Sequence, residues 1–325
     1  MRVRPVVAVL SVPVLLPAAA ACGGGDDSRP APAVSTEQAR SVLARYADGA
    51  NKAGQRLDGA ALAAVETDPQ LAMDRAAFKL GRAARQPFTP VRFVKSTFYI
   101  PRMDGYPRWF AVDAVTSGAS AGGGKPREVP HALVFAQARA GAPWLLVASP
   151  RPGGDEMSRV RLDKEGFATP VAPGAPGLAV SPSGLGAAHA ALLTGGPQAP
   201  GTSVLAPGPQ TTQAYDALRR ARFGLHKNGV RLWTRFVPDS SPVYALRTKD
   251  GGALVWYVLR QQESYRSARL GRLAVSGDLT GLAPADAART RLDATVLVQY
   301  LATVPAKGHA AVGGMYRKAV AANAS

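Results

Sequence analysis

The spacing of apolar positions changes along this chain, and each change marks an element. After a Gly- and Pro-rich opening, Ala39, Val42, Leu43 and Tyr46 recur at three- and four-residue intervals, which predicts a helix over residues 36–49. Ser35 or Thr36 stands where an N-cap belongs, with Glu37 in the first turn. A second helix is expected within residues 72–84. From Val91 the period falls to two, giving strands at 91–93, 98–100, 109–115, 132–138 and 144–149. Residues 117–126 form a Gly-rich loop between them. Pro150 to Gly154 closes this unit. A second unit repeats the order, with helices at 185–193 and 211–225, then strands at 230–236, 243–248, 253–260, 270–275, 291–304 and about 311–320.

The two units echo one another. Tyr99, Arg102 and Asp104-Gly105 are followed by Trp109-Phe110, and Tyr244, Arg247 and Asp250-Gly251 by Trp256-Tyr257. Asp-Gly tolerates the positive φ of a tight turn, so both segments read as strand, turn and strand with an aromatic pair on the return. Further hairpins are expected near Ala140-Gly141 and Ala306-Lys307-Gly308. Helices first and antiparallel strands afterwards is an α+β order. The expected fold is two modules, each with helices packed on a curved antiparallel sheet. In order of elements each resembles the cystatin-like and nuclear-transport-factor-like cones.

The boundaries follow. Residues 1–21 read as a signal peptide: Arg2 and Arg4 give a positive start, and Val6 to Leu16 an apolar run too short to span a bilayer. Ala19-Ala20-Ala21-Cys22 resembles a lipobox, with Ala19 where Leu is usual, which implies a diacylglyceryl group on Cys22. Residues 22–34, rich in Gly, Asp and Pro, form a flexible tether. The first module spans 35–157, a Pro/Gly-spaced strap 158–182, and the second module 183–325. Cys22 is the sole cysteine, so the fold has no internal disulfide despite an exported address.

Across most of the mature length the chain resembles an actinobacterial group of exported lipoproteins carrying a domain of unknown function. The resemblance is carried by Ser241-Pro242-Val243-Tyr244-Ala245-Leu246-Arg247-Thr248, by Gly251 to Tyr257, and by Leu301 to Gly308. It implies export and a membrane location, and it brings no activity or catalytic residues.

Charge adds a direction to this picture. Without Arg2 and Arg4, 37 basic side chains stand against 22 acidic ones. Residues 183–325 hold 17 basic and 7 acidic side chains, whereas residues 22–158 hold 17 and 13, so the excess is concentrated in the second module. On the strand at 230–236, Arg231, Trp233 and Arg235 share one face, and Arg260 and Arg266 follow in the neighbouring hairpin. An exported basic face meets anionic lipid and acidic wall polymer rather than nucleic acid, and each cation near such a membrane contributes about 1 kcal/mol. Arg231, Trp233, Arg235, Tyr244, Arg247, Trp256, Tyr257 and Arg260 are the candidate contacts, either on the surface or lining a cone pocket.

Catalytic and metal chemistry finds little footing. His131, His189, His226 and His309 are far apart in sequence, and Cys22 is committed to the anchor, so neither a metal nor a cofactor is expected. Gly122-Gly123-Gly124-Lys125 lacks the first Gly and the Ser/Thr of a phosphate loop, with Ala119 and Pro126 in their places. No nucleophile elbow is present. The sequence therefore points to a non-enzymatic lipoprotein that binds an anionic or amphiphilic envelope component. The alternatives are an enzyme with its site inside a cone pocket, and an assembly partner or chaperone of other exported proteins.

Overall fold

In the computed structural model, the residues described are 29–118, 127–269, 273–283 and 287–325. Cys22, the expected signal peptide, most of the expected tether, and residues 119–126 of the expected Gly-rich loop lie outside them.

Helix α1 (Thr36–Arg56) begins at a capping box. The Ser35 hydroxyl accepts from the Gln38 amide and the Gln38 side chain accepts from the Ser35 amide, both at 3.1 Å. The apolar stripe continues past residue 49 through Ala50 and Ala53, and the helix ends at Leu57 in the left-handed region. Helix α2 (Gln70–Ala83) follows a short 3-10 turn. Strands β1 (Phe93–Tyr99), β2 (Arg108–Gly118), β3 (Arg127–Gln137) and β4 (Leu145–Ala148) form sheet 1, an antiparallel meander in that order. The two short strands expected at 91–93 and 98–100 are thus one edge strand. Its centre, Val94 to Thr97, is exposed, and this broke the apolar alternation.

Helices α3 (Pro182–Gly195) and α4 (Thr212–Lys227) precede sheet 2. Its members are β5 (Val230–Pro238), β6 (Tyr244–Arg247), β7 (Ala253–Ser267), β10 (Arg291–Val304) and β11 (Ala311–Ala324). They run in the order β11-β10-β7-β5, with β6 continuing the β5 edge along β7. A small ribbon of β8 (Leu273–Ala274) and β9 (Ala287–Ala288) lies between β7 and β10 in sequence. The fold is α+β with two antiparallel sheets.

Strand alternation sorts the cores into layers. Phe110, Val112, Leu133 and Phe135 face α1 through Val42, Leu43 and Tyr46. Val255, Tyr257, Leu259, Val298 and Tyr300 face α3 through Leu185, Leu192 and Leu193. Between the sheets, Trp109, Ala111, Val134 and Val147 of sheet 1 meet Tyr244, Leu246, Leu254, Trp256 and Leu301 of sheet 2. The echoed aromatics meet there, with the Trp109 and Tyr244 ring centroids 5.1 Å apart. Helix α2 flanks β4 and lies on β11, inserting Met73 against Val258 and Leu297 of sheet 2.

The 158–182 segment ties the two sheet edges together. Ala168 donates to the Ile100 carbonyl at 2.8 Å, beyond β1, while Val171 donates to Ala245 in β6, also at 2.8 Å. Val160 and Ala168 join the layer between the sheets. At the other end, Ala33 and Val34 are buried against α1 and sheet 1, so the last residues of the tether segment are tied down.

Candidate functional site

Strands β7, β10 and β11 are longer than any strand of sheet 1, and their far ends extend past its cover. Along β7, residues 253–259 are buried without a break. From Arg260 exposure alternates: Arg260, Gln262 and Arg266 are exposed, with Ser264 half-buried, while Gln261, Glu263 and Ser267 are buried. One face of sheet 2 therefore lies open beyond residue 260, on the side that sheet 1 and α2 cover farther along.

Register places the open side chains in rows. Arg231, Arg266 and Arg291 align across β5, β7 and β10. Trp233, Ser264, Asp293 and Asn323 form the next row, and Arg235, Gln262, Thr295 and Ala321 the one after. Directly opposed residues on neighbouring strands sit about 5 Å apart, so three guanidiniums at one level repel one another. Arg291 is relieved by Asp293 at 2.7 Å. Arg231 and Arg266 make no ion pair among the described residues. Trp233 is 53% exposed beside them, and Phe223 of α4 is 62% exposed. These groups border a groove of about 1140 Å³, with Arg222 and His226 of α4 on its rim. Arg222 is anchored on the Thr234 carbonyl and hydroxyl, which fixes α4 over the β5 edge. The arrangement can neutralise an anion along the arginine row and cover an apolar group on the indole.

The residues singled out from sequence divide between surface and interior. Arg231, Trp233 and Arg235 project together onto the open face, and Arg260 joins them, paired with Asp239 at 2.8 Å. Arg247 spans its own hairpin to the Gly251 carbonyl at 2.9 Å. Tyr244 and Trp256 are buried between the sheets. Tyr257 is buried on the opposite face, where its hydroxyl pairs with His189 Nδ1 at 2.8 Å and its ring stacks on Tyr300. Trp256 and Tyr257, adjacent in β7, point to opposite faces of sheet 2, and the gap that Tyr244, Trp256 and Tyr257 all border is only about 10 Å³. Arg291, Arg222 and Phe223 were not foreseen. Only strand register brings Arg291 beside Arg231, and only helix docking brings in α4.

The histidines remain dispersed. His189 is buried and His131 half-buried, and desolvation holds each neutral, with its pKa lowered to about 4. Among the described residues no group of three or more His, Cys, Asp or Glu is placed to hold a metal ion, and no helix is long and apolar enough to cross a membrane.

Two packed antiparallel sheets, one with an open, arginine-rich end, define a protein of the α+β class. The chain belongs to the family described as domain of unknown function DUF8094, whose model matches residues 30–324. It is 30% identical to an uncharacterized lipoprotein of Streptomyces avermitilis, over 73% of this chain and 69% of that protein. Two uncharacterized lipoproteins of Streptomyces coelicolor are 28% and 29% identical, over 73% and 85% of this chain and 70% and 78% of theirs. No solved structure matches. The group is thus one of actinobacterial lipoproteins, as the stretches around Tyr244, Trp256 and Leu301 implied.

Proposed function

We propose that this protein is a non-enzymatic surface lipoprotein that binds an anionic amphiphile of the cell envelope on the open end of sheet 2. A diacylglyceryl group on Cys22 holds it at the outer face of the cell membrane, and the tether sets its reach. The reading is carried by the Arg231–Arg266–Arg291 row beside exposed Trp233. Aligned like charges cost stability unless an anion is bound, and an exposed indole has a role where one side of the ligand is apolar.

The test is partition of the soluble mature chain onto vesicles of anionic phosphatidylglycerol against neutral phosphatidylcholine. Replacing Arg231, Arg266 and Arg291 together with Gln removes about 3 kcal/mol, so anionic partition should fall about a hundredfold. Thermal stability should hold or rise, since repulsion is relieved. Binding of the wild type should weaken steeply with salt. Equal partition of the triple variant, or equal binding to both vesicles, would sink the proposal. Replacement of Cys22 by Ala should release the full-length chain from the membrane fraction, and an unchanged membrane-bound product would refute the anchor.

A further inference from the structure

A second cavity, of about 250 Å³, lies where α1, α2, sheet 1 and β11 converge, away from the arginine row. It falls below the ~300–1,000 Å³ typical of drug-sized ligands, which suits a much smaller molecule. Asp74 of α2 contributes an acid to its wall, among the rings of Tyr46, Phe93 and Tyr316. Arg151 contributes a cation, its guanidinium 5.2 Å from the Tyr316 ring centroid. Burial first, and then the nearby charge of Asp74, push the Tyr316 phenol up, so both charges lie close to one ring.

These walls are held in place by bonds that cross the seam. Gln70 donates to Asp74 at 2.9 Å, Gln299 donates to Gln70 at 3.0 Å, and the Ser149 amide donates to Gln299 at 2.7 Å. His131 is fixed between Thr116 and Ser149, each at 3.0 Å. The Arg151 backbone pairs in both directions with Met315 of β11, at 3.1 and 3.2 Å. Arg151 itself is exposed and makes no ion pair among the described residues.

Behind Asp74 sits Glu66, 1% exposed, with neither carboxyl oxygen in a hydrogen bond of normal geometry. Desolvation, reinforced by Asp74, lifts its pKa to about 10, so it stays protonated and can donate to Asp74. Desolvation raises the Asp74 carboxyl as well, opposed by the hydrogen bonds from Gln70 and Glu66 and by the Lys318 charge, so Glu66 is the firmer holder of the proton and Asp74 is the acid that faces the cavity. A half-buried carboxyl group in a cavity lined by aromatic rings is an environment that receives an ammonium group, through charge and through the ring quadrupoles. A free guanidinium beside it receives a carboxylate.

We infer that this cavity binds a free α-amino acid, with the ammonium group on Asp74 among Tyr46, Phe93 and Tyr316 and the carboxylate on Arg151. The site is independent of the vesicle-binding face, so either can fail alone.

The experiment is titration calorimetry and thermal shift on the mature chain. The probes are L-alanine, L-serine, L-leucine and L-glutamate, each also as its methyl ester and its N-acetyl derivative. At a free concentration about a hundred times Kd, a bound amino acid should raise Tm by about 5 °C. N-acetylation should abolish binding, and esterification should weaken it about tenfold. Asp74→Asn should lose binding of all forms. Arg151→Gln, at an exposed position that leaves the fold intact, should weaken the free acid down to the level of its ester and leave the ester unchanged. No response to any free amino acid would overturn the assignment. So would equal affinity for an N-acetyl form, or equal weakening of acid and ester by Arg151→Gln.

Discussion

Replacement of Trp256 by Ala should destabilise the protein by about 5 kcal/mol and lower Tm by 10 °C or more, on the order of 2 °C per kcal/mol. The indole is 1% exposed in the layer between the sheets, packed with Tyr244, Leu254 and Leu301. Truncation of a fully buried Trp costs about 3–5 kcal/mol in lost contact and residual cavity. Its Nε1–H also donates to the Ala132 carbonyl of β3 at 3.0 Å, so truncation leaves that buried acceptor unpaired, a further 1–3 kcal/mol or so. Trp256→Phe keeps most of the packing and loses the bond, and should cost about 2 kcal/mol. Because this one side chain joins both sheets, urea unfolding of the Ala variant should remain a single transition at a lower midpoint. A biphasic curve, with part of the protein melting at the wild-type midpoint, would contradict the shared core.

Stability should also peak near pH 6.5 and fall on both sides, by about 1 kcal/mol per pH unit, from buried Glu66 and His189 and half-buried His131. Glu66 has a folded pKa of about 10 against 4.5 for the free side chain. Its contribution is full below pH 4.5 and is lost as pH rises towards 10, because the native state holds a proton that the unfolded chain has released. His131 and His189 work the other way. Each has a folded pKa of about 4 against 6.5, so their contribution is full above pH 6.5 and is lost as pH falls towards 4. Above pH 6.5 the native state binds one proton more than the unfolded chain. Between 6.5 and 4.5 the unfolded chain binds one more, on balance. Glu66→Gln keeps a donor towards Asp74 without the proton, and should stabilise the protein by about 3 kcal/mol at pH 7. Its urea midpoint should stay level from pH 7 to 9 while the wild type declines. A wild-type midpoint that is flat over that range would remove the buried acid from the account.

Much of this architecture was legible because one rule of spacing governs both pattern and packing. The 39-42-43-46 stripe and Ser35 gave α1, and Asp250-Gly251 gave the β6–β7 turn, where Gly251 does adopt a φ of +80°. The strand β1 was obscured by Lys95, Ser96 and Thr97, which face water at an edge. The end of β7 was obscured by Gln261, Glu263 and Ser264, polar residues in a strand that runs on to Ser267. Glu263 is buried there because Arg317 pairs with it at 2.9 Å and Tyr265 donates to it.

The site was legible by halves. Alternation over residues 230–236 correctly put Arg231, Trp233 and Arg235 on one face. Arg266 and Arg291 complete the row through pairings with no local signature. Trp256 and Tyr257, adjacent in sequence, are separated by the full thickness of sheet 2. Glu66 and Asp74 resemble surface carboxylates until α2 carries Asp74 to the seam.

The most direct measurement is quenching of Trp233 by bromine-labelled anionic lipid. Trp109 and Trp256 are buried, and Trp144 is half-buried against Phe110 on the α1 side of sheet 1, whereas Trp233 stands on the proposed contact face. On binding to brominated phosphatidylglycerol vesicles, the wild type should lose a fraction of its tryptophan emission, and Trp233→Phe should show almost none of that loss while remaining bound. The same quenching in both proteins, or vesicle binding that leaves Trp233 emission untouched, would mean that the open end of sheet 2 is not where this lipoprotein meets its ligand.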